Sequence, residues 1–185
     1  MKYVTFVFLV CLLIISCNQK EKEANIVSPV LIDGELITAA FNLQGVESFA
    51  HSFSSELKLR SIRSDDVNFN GFSKKWCFEY TSVEIDYYFH TTHISVGLDS
   101  NSTIKEVGAA IISHEWMNSN EVLPIAEKNG GKEFRTTNKE YQIIASLGEP
   151  LVPNSKTCWY IRYLSLLDNS KKLDISIDAT TGELL

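Results

Sequence analysis

A short pattern occurs twice in this chain, and each copy demands a strand. Trp76-Cys77-Phe78-Glu79-Tyr80 and Trp159-Tyr160-Ile161-Arg162-Tyr163 both read Trp-x-apolar-x-Tyr. Large apolar residues at every second position make one face of a strand apolar and the other polar. The pattern predicts that Trp76, Phe78, Tyr80, Trp159, Ile161 and Tyr163 face a core, toward the helices of their own repeats. Cys77, Glu79, Tyr160 and Arg162 then face away. Downstream, His93-Ile94-Ser95-Val96 matches Asp174-Ile175-Ser176-Ile177 and extends the doubling. A chain of 185 residues has room for one domain or two small ones.

Each strand group follows a more helical stretch. In the second half Asn118 caps a helix, with Glu121 at capping-box spacing and Val122, Ile125 and Ala126 on one face. Pro124 removes a backbone donor beyond the first turn, so that helix is short or kinked. Gly130-Gly131 stops it. In the first half the helix is expected over Glu35 to Phe41, with Gln44 to Ser55 extending it after a break at Gly45. Further strands are expected at Leu57 to Ile62 and Tyr141 to Leu147. Asn70-Gly71 marks a turn. Leu164 to Leu167, the turn Asp168-Asn169-Ser170 and Leu173 to Ile177 form a hairpin. Ile85 to Thr92 is β-rich, with its register open.

The N-terminus carries different information. Lys2 precedes an apolar run from Val4 to Ile15, broken only by Thr5. That run is shorter than the roughly 20 residues of a membrane-spanning helix, and has the form of a secretory signal. It ends in Ile14-Ile15-Ser16-Cys17, which resembles the bacterial lipobox. The resemblance implies that Cys17 is lipidated and becomes the new N-terminus. The charged stretch Asn18 to Glu23 reads as a flexible tether. It is also similar to the Lys/Glu-rich export signals of some Bacteroidetes lipoproteins. Lys2 is the only charge in residues 1–16, so the body that remains is more acidic than the whole chain, whose net charge is −6. Membrane association is therefore expected through acyl chains and not through a basic face.

The C-terminal run Leu173-Asp174-Ile175-Ser176-Ile177-Asp178-Ala179-Thr180-Thr181-Gly182-Glu183-Leu184-Leu185 resembles the end of a PepSY domain, with its apolar strand, Asp-Ala-x-Thr-Gly-Glu turn and closing apolar pair. The similarity extends upstream through Trp159 to Tyr163 and more loosely through Ser119 to Phe134. The first half, Gly34 to Ser113, is similar in outline. PepSY domains are small α+β modules of exported proteins and propeptides, some of them linked to peptidase inhibition. The resemblance implies an α+β fold of two tandem repeats, each a helix packed on an antiparallel sheet. It implies turn roles for Asp178 and Gly182, Asp accepting backbone donors and Gly taking positive φ. The expected organisation is a signal peptide over 1–16, a lipidated tether over 17–33, a first repeat over 34–113 and a second, PepSY-like repeat over 114–185.

No catalytic constellation stands out. There is no Gly-x-Ser-x-Gly elbow, His-Glu-x-x-His or phosphate-binding glycine loop. His90 and His93, three apart on a strand, face opposite sides and cannot share a metal. His114-Glu115 reads as a surface pair and Asp65-Asp66 as solvated. Cys77 and Cys158 are either two free thiols, the favoured reading, or a disulfide, which exported proteins permit. With 23 acidic against 17 basic residues and no basic run, nucleic acid is excluded as a partner. The reading is a non-catalytic outer-membrane lipoprotein, without cofactor or metal, that binds a peptide or protein, with a peptidase-inhibitor-like module as a special case. The alternative is an enzyme acting on envelope polymers.

Overall fold

The alternating pattern around Trp76 and Trp159 produces two interior strands of a sheet, each paired on both sides. The computed structural model describes residues 35–103, 111–112, 115–148 and 156–185. Cys17, the segments 1–16 and 17–33, and His114 lie outside them. Seven strands are described: β1 (Lys58–Ser64), β2 (Trp76–Thr81), β3 (Asp86–Thr91), β4 (Val96–Ser102), β5 (Tyr141–Gly148), β6 (Cys158–Ser165) and β7 (Lys172–Asp178). They form one sheet in the order β4-β3-β2-β1-β5-β6-β7, every neighbouring pair antiparallel. The helices are α1 (Leu43–His51), α2 (Ser119–Ala126) and α3 (Lys132–Thr137). The fold is α+β.

The two halves do not form separate sheets. β1 pairs with β5, so the first four strands and the last three share one surface and one apolar core. Trp76, Phe78, Tyr80, Trp159, Ile161 and Tyr163 are all buried in that core. The rings of Trp76 and Trp159 meet edge to face with centroids 6.1 Å apart, so neither is confined to its own half. Each indole also donates to a carbonyl ahead of a helix. Trp76 Nε1 reaches Ile37 O at 2.9 Å, and Trp159 Nε1 reaches Met117 O at 2.8 Å. The downstream match shifts between elements: His93 to Ser95 form the turn between β3 and β4, whereas Asp174 to Ile177 lie inside β7.

The helices differ from expectation in two places. Glu35 to Phe41 is not helical; Ile37 bridges to Ser73 and the helix begins only at Leu43. Asn42 adopts left-handed geometry at φ 54°, which turns the chain into α1. Gly45 then belongs to the helix, and a Cβ there would collide with the Asn42 side chain. In the second half the capping box of Asn118 and Glu121 is present, and Glu121 Oε2 accepts from Asn118 N at 2.7 Å. Gly130-Gly131 does not end the helical region. Asn129 and Gly130 leave helical geometry, Gly130 at φ 108°, and α3 follows directly. The kink places Glu127 where Tyr163 donates to it at 2.9 Å and Arg135 pairs with it.

The halves are stitched by contacts that no local sequence pattern announces. Buried Ser119 donates to Gly71 O at 2.7 Å and accepts from Ala39 N at 2.9 Å. Asn118 Nδ2 donates to Thr38 Oγ1 at 3.0 Å. Gly71, at φ 87°, lies so close to the Ser119 carbonyl that no side chain fits. At the far end of β7, Asp178 Oδ1 accepts from Thr180 N and Thr181 N, both at 2.9 Å, while Gly182 takes φ 75°. Lys156 Nζ sits 2.9 Å from Asp178 Oδ2. Its hydrogen bond, with those backbone amides, holds the carboxyl below the usual carboxylate range against desolvation.

Candidate binding face

Helices α1 and α2 pack on one face of the sheet. The other face carries the alternate residues of every strand, and no described helix covers it. Its character follows from the register. One row of neighbours runs Gly97, His90, Cys77, Arg63, Ser146, Tyr160, Ser176. The candidate residues Cys77, Glu79, Tyr160 and Arg162 are all on this face.

Three groups occupy it. In the first, a bulge between Leu59 and Ser61 turns Arg60 outward beside Ser61. Arg60 Nη1 lies 3.1 Å from Glu79 Oε1 and 3.4 Å from Asp86 Oδ2. Ser61 Oγ donates to Glu79 at 2.9 Å and Thr81 Oγ1 to Asp86 at 2.6 Å. Asp86 is 1% exposed and Arg60 8%. This is a buried, hydrogen-bonded charge network, in which one guanidinium bridges two carboxylates and offsets part of their charge. Beside it, burial and then Glu79 push the Tyr88 hydroxyl above its ordinary range. The network was not legible in the sequence, because its arginine reaches this face only through the bulge.

In the second group His90 Nδ1 lies 2.8 Å from Asp99 Oδ1, and Lys75 Nζ lies 3.1 Å from Asp99 Oδ2. Desolvation raises the Asp99 carboxyl, but hydrogen bonds from Lys75 and His90 outweigh it and hold the group below its usual value. Cys77 faces His90 directly across β2 and β3. The imidazole, however, lies over Gly97 on β4; a Cβ on Gly97 would come within 2.7 Å of His90 Cε1. It therefore leans away from Cys77. Burial pushes the Cys77 thiol up, with Lys75 opposing, so the sulfur is not held as a thiolate. His93 pairs instead with Glu35 in the β3–β4 turn. Asp65 is exposed and paired with Arg63 at 2.7 Å, and Asp66 is exposed. Among the described residues no group of three or more His, Cys, Asp or Glu could hold a metal.

The two described cysteines are free. They sit on β2 and β6, three strand spacings apart in the sheet. At about 4.8 Å per strand that is roughly 14 Å, well beyond the ~7 Å limit for a disulfide.

The third group is a shallow concavity of about 370 Å³ over β1, β5, β6 and β7, bordered by Arg63, Ser146, Tyr160, Arg162 and Asp174. Arg162 Nε donates to Asp174 Oδ1 at 2.5 Å, and that hydrogen bond lowers the carboxyl against the effect of burial. Tyr160 is 37% exposed. Burial, then Cys158, push its hydroxyl up, so it acts as a neutral donor and an aromatic surface. The outer edge of β7 is occupied near its end by the C-terminal residues, Leu185 N donating to Ser176 O at 3.0 Å.

No family model matches the chain, so the PepSY resemblance of the C-terminal run gains no support there. No curated protein matches it either. Among solved structures the chain is similar to a putative lipoprotein from Clostridium difficile, with a TM-score of 0.55 over 84% of this chain and 95% of that one. At 13% identity this likeness speaks to the fold alone.

Proposed function

We propose that this chain is a non-catalytic lipoprotein of the bacterial envelope, anchored through Cys17 at the outer membrane, that binds a protein or peptide on the open face of its sheet. The observation that carries the reading is the one-sided arrangement. Helices and core occupy one face, and the other holds a half-exposed tyrosine between two arginines in a concavity. Tyrosine and arginine are the residues that anchor protein interfaces. The anchor is supported by the apolar run ending at Cys17, and by the fold shared with a chain that bears a lipoprotein name. A body built from two PepSY-like repeats fused edge to edge is supported by the matching Trp76–Ile37 and Trp159–Met117 hydrogen bonds ahead of each helix. The absence of catalysis is supported by the tying of Glu79 and Asp86 to Arg60 and by the turning of His90 away from Cys77.

Two measurements test this. The wild-type chain should partition into detergent and take up a palmitate analogue, and Cys17→Ala should lose both. From native membranes, the wild type should capture a defined partner that Tyr160→Ala/Arg162→Ala does not. Labelling that survives Cys17→Ala overturns the anchor. Equal capture by the double variant overturns the face.

A further inference from the structure

The sheet ends differently at its two edges. On β7, residues of the chain itself add to the outer side: Ile177 bridges Leu184, Leu185 N donates to Ser176 O at 3.0 Å, and Asp178 N donates to Glu183 O at 2.8 Å. β4 is the other outermost strand, and among the described residues no strand pairs with its outer side. It is also the least covered strand, with Leu98, Asp99, Ser100 and Asn101 all exposed.

The register shows which main-chain groups point outward. Thr92 N donates to Ser95 O at 2.9 Å, so the β3–β4 hairpin opens on a hydrogen-bonded pair. Bonded and non-bonded pairs then alternate. Thr91–Val96 and Phe89–Leu98 are non-bonded pairs, so Val96 and Leu98 turn their N–H and C=O to the outer side. A bulge puts Asp99 out of register, which limits the regular edge to Val96–Leu98. The side chains along this run are apolar on the helix-covered face. Leu98, 37% exposed, stands beside Phe89, and Phe53, 43% exposed, packs on Phe89 and Tyr87 with centroids 5.6 Å from each. On the opposite face Asp99 is tied to Lys75 and His90.

We propose that the outer edge of β4 binds a short extended peptide segment of another protein, which adds to the sheet as one more strand and sets an aliphatic or aromatic side chain against Leu98 and Phe53. A row of outward N–H and C=O groups is complementary to an extended backbone, and the side chains beside it select alternate residues of that backbone. The C-terminal residues on β7 show that an edge of this sheet holds such a segment. A second copy fits less well. Pairing β4 with β4 would join two sheets of seven strands, past the ~10 at which open twisted sheets stop. The site is separate from the concavity around Tyr160 and does not depend on it.

The test pans a phage-displayed library of random heptapeptides against the full chain in detergent micelles, with Leu98→Pro as the counter-target. Proline at Leu98 removes an outward donor, which an edge strand tolerates. Matching melting curves check that the variant is folded, and Leu98→Lys carries the comparison if it is not. Selected peptides should be free of proline, carry large apolar residues at alternate positions, and slow hydrogen exchange at the Val96 and Leu98 amides. They should bind either Leu98 variant at least about tenfold more weakly than the wild type, since a main-chain bond or an apolar contact is lost. Tyr160→Ala/Arg162→Ala should bind them as the wild type does. A selection that enriches nothing, peptides that bind the folded Leu98 variants equally, or peptides that lose affinity only for the double variant would overturn the proposal. So would a wild type that is dimeric by size exclusion where Leu98→Lys is monomeric, because the second copy would then hold the edge.

Discussion

At the scale of single residues, the buried indoles join the two halves of the sheet, Trp76 and Trp159 meeting edge to face in the shared core. Alternation places Trp159 on the apolar face, because a period of two leaves it no other face once its neighbours are apolar. It does not reveal that the ring meets both Trp76 and Trp116 with centroids 6.1 Å away, or that its N–H bonds to Met117 O. Those contacts join residues distant in the chain, and no local pattern encodes them. Ser119 and Arg60 are the sharper cases. A serine at a helix start and an arginine in a strand are ordinary, yet one is a fully buried junction between the halves and the other the centre of a charge network. Trp159→Ala should destabilise the protein by about 3–5 kcal/mol, since it empties a large core site and strands the Met117 carbonyl. Chemical denaturation read by circular dichroism measures it. A loss below about 1 kcal/mol would mean that the core closes over the gap.

At the scale of elements, the period-two segments were legible and the helices less so. Glu35 to Phe41 carries apolar and small residues that suit a helix, but pairing of Ile37 with Ser73 overrides that preference. Gly130-Gly131 carries a stop signal, yet the two glycines act separately. Gly130 takes positive φ at the kink, while Gly131 is helical and leaves room for the Tyr163 hydroxyl. This gives a prediction whose sign decides the matter. By helix propensity alone, Gly131→Ala should stabilise by about 1 kcal/mol. The added methyl would instead strike the Tyr163 ring, so a loss of about 1–3 kcal/mol is expected. Thermal melts of wild type and variant distinguish the two; a raised midpoint would show that Tyr163 gives way freely.

At the scale of the whole molecule, one sheet and one core imply one unfolding event, and the carboxylates set its acid limb. Asp178, Asp174, Asp99 and Asp168 are all held below their ordinary values. Hydrogen bonds do this at each, from Lys156, Arg162, Lys75 with His90, and Ser170 respectively. A carboxyl depressed in the folded state contributes stability that is complete above the unfolded pKa, near 3.9, and is lost as pH falls through the folded value. The melting temperature should therefore hold down to about pH 4 and fall below it, with Asp178→Asn showing a shallower fall than wild type. A melting temperature that stays level well below that point would contradict the assignment. The candidate site was legible only as a face. Tyr160 and Arg162 were placed outward by alternation, whereas their concavity with Arg63 and Ser146 exists only because β1 pairs with β5, which joins the two halves. Binding there requires that face to be occupied in the cell envelope. Hydroxyl-radical footprinting compares the lipidated chain in its native membranes with the same chain purified in detergent. Tyr160 should be protected in the membranes and modified once purified. Equal modification of Tyr160 in both states would contradict it.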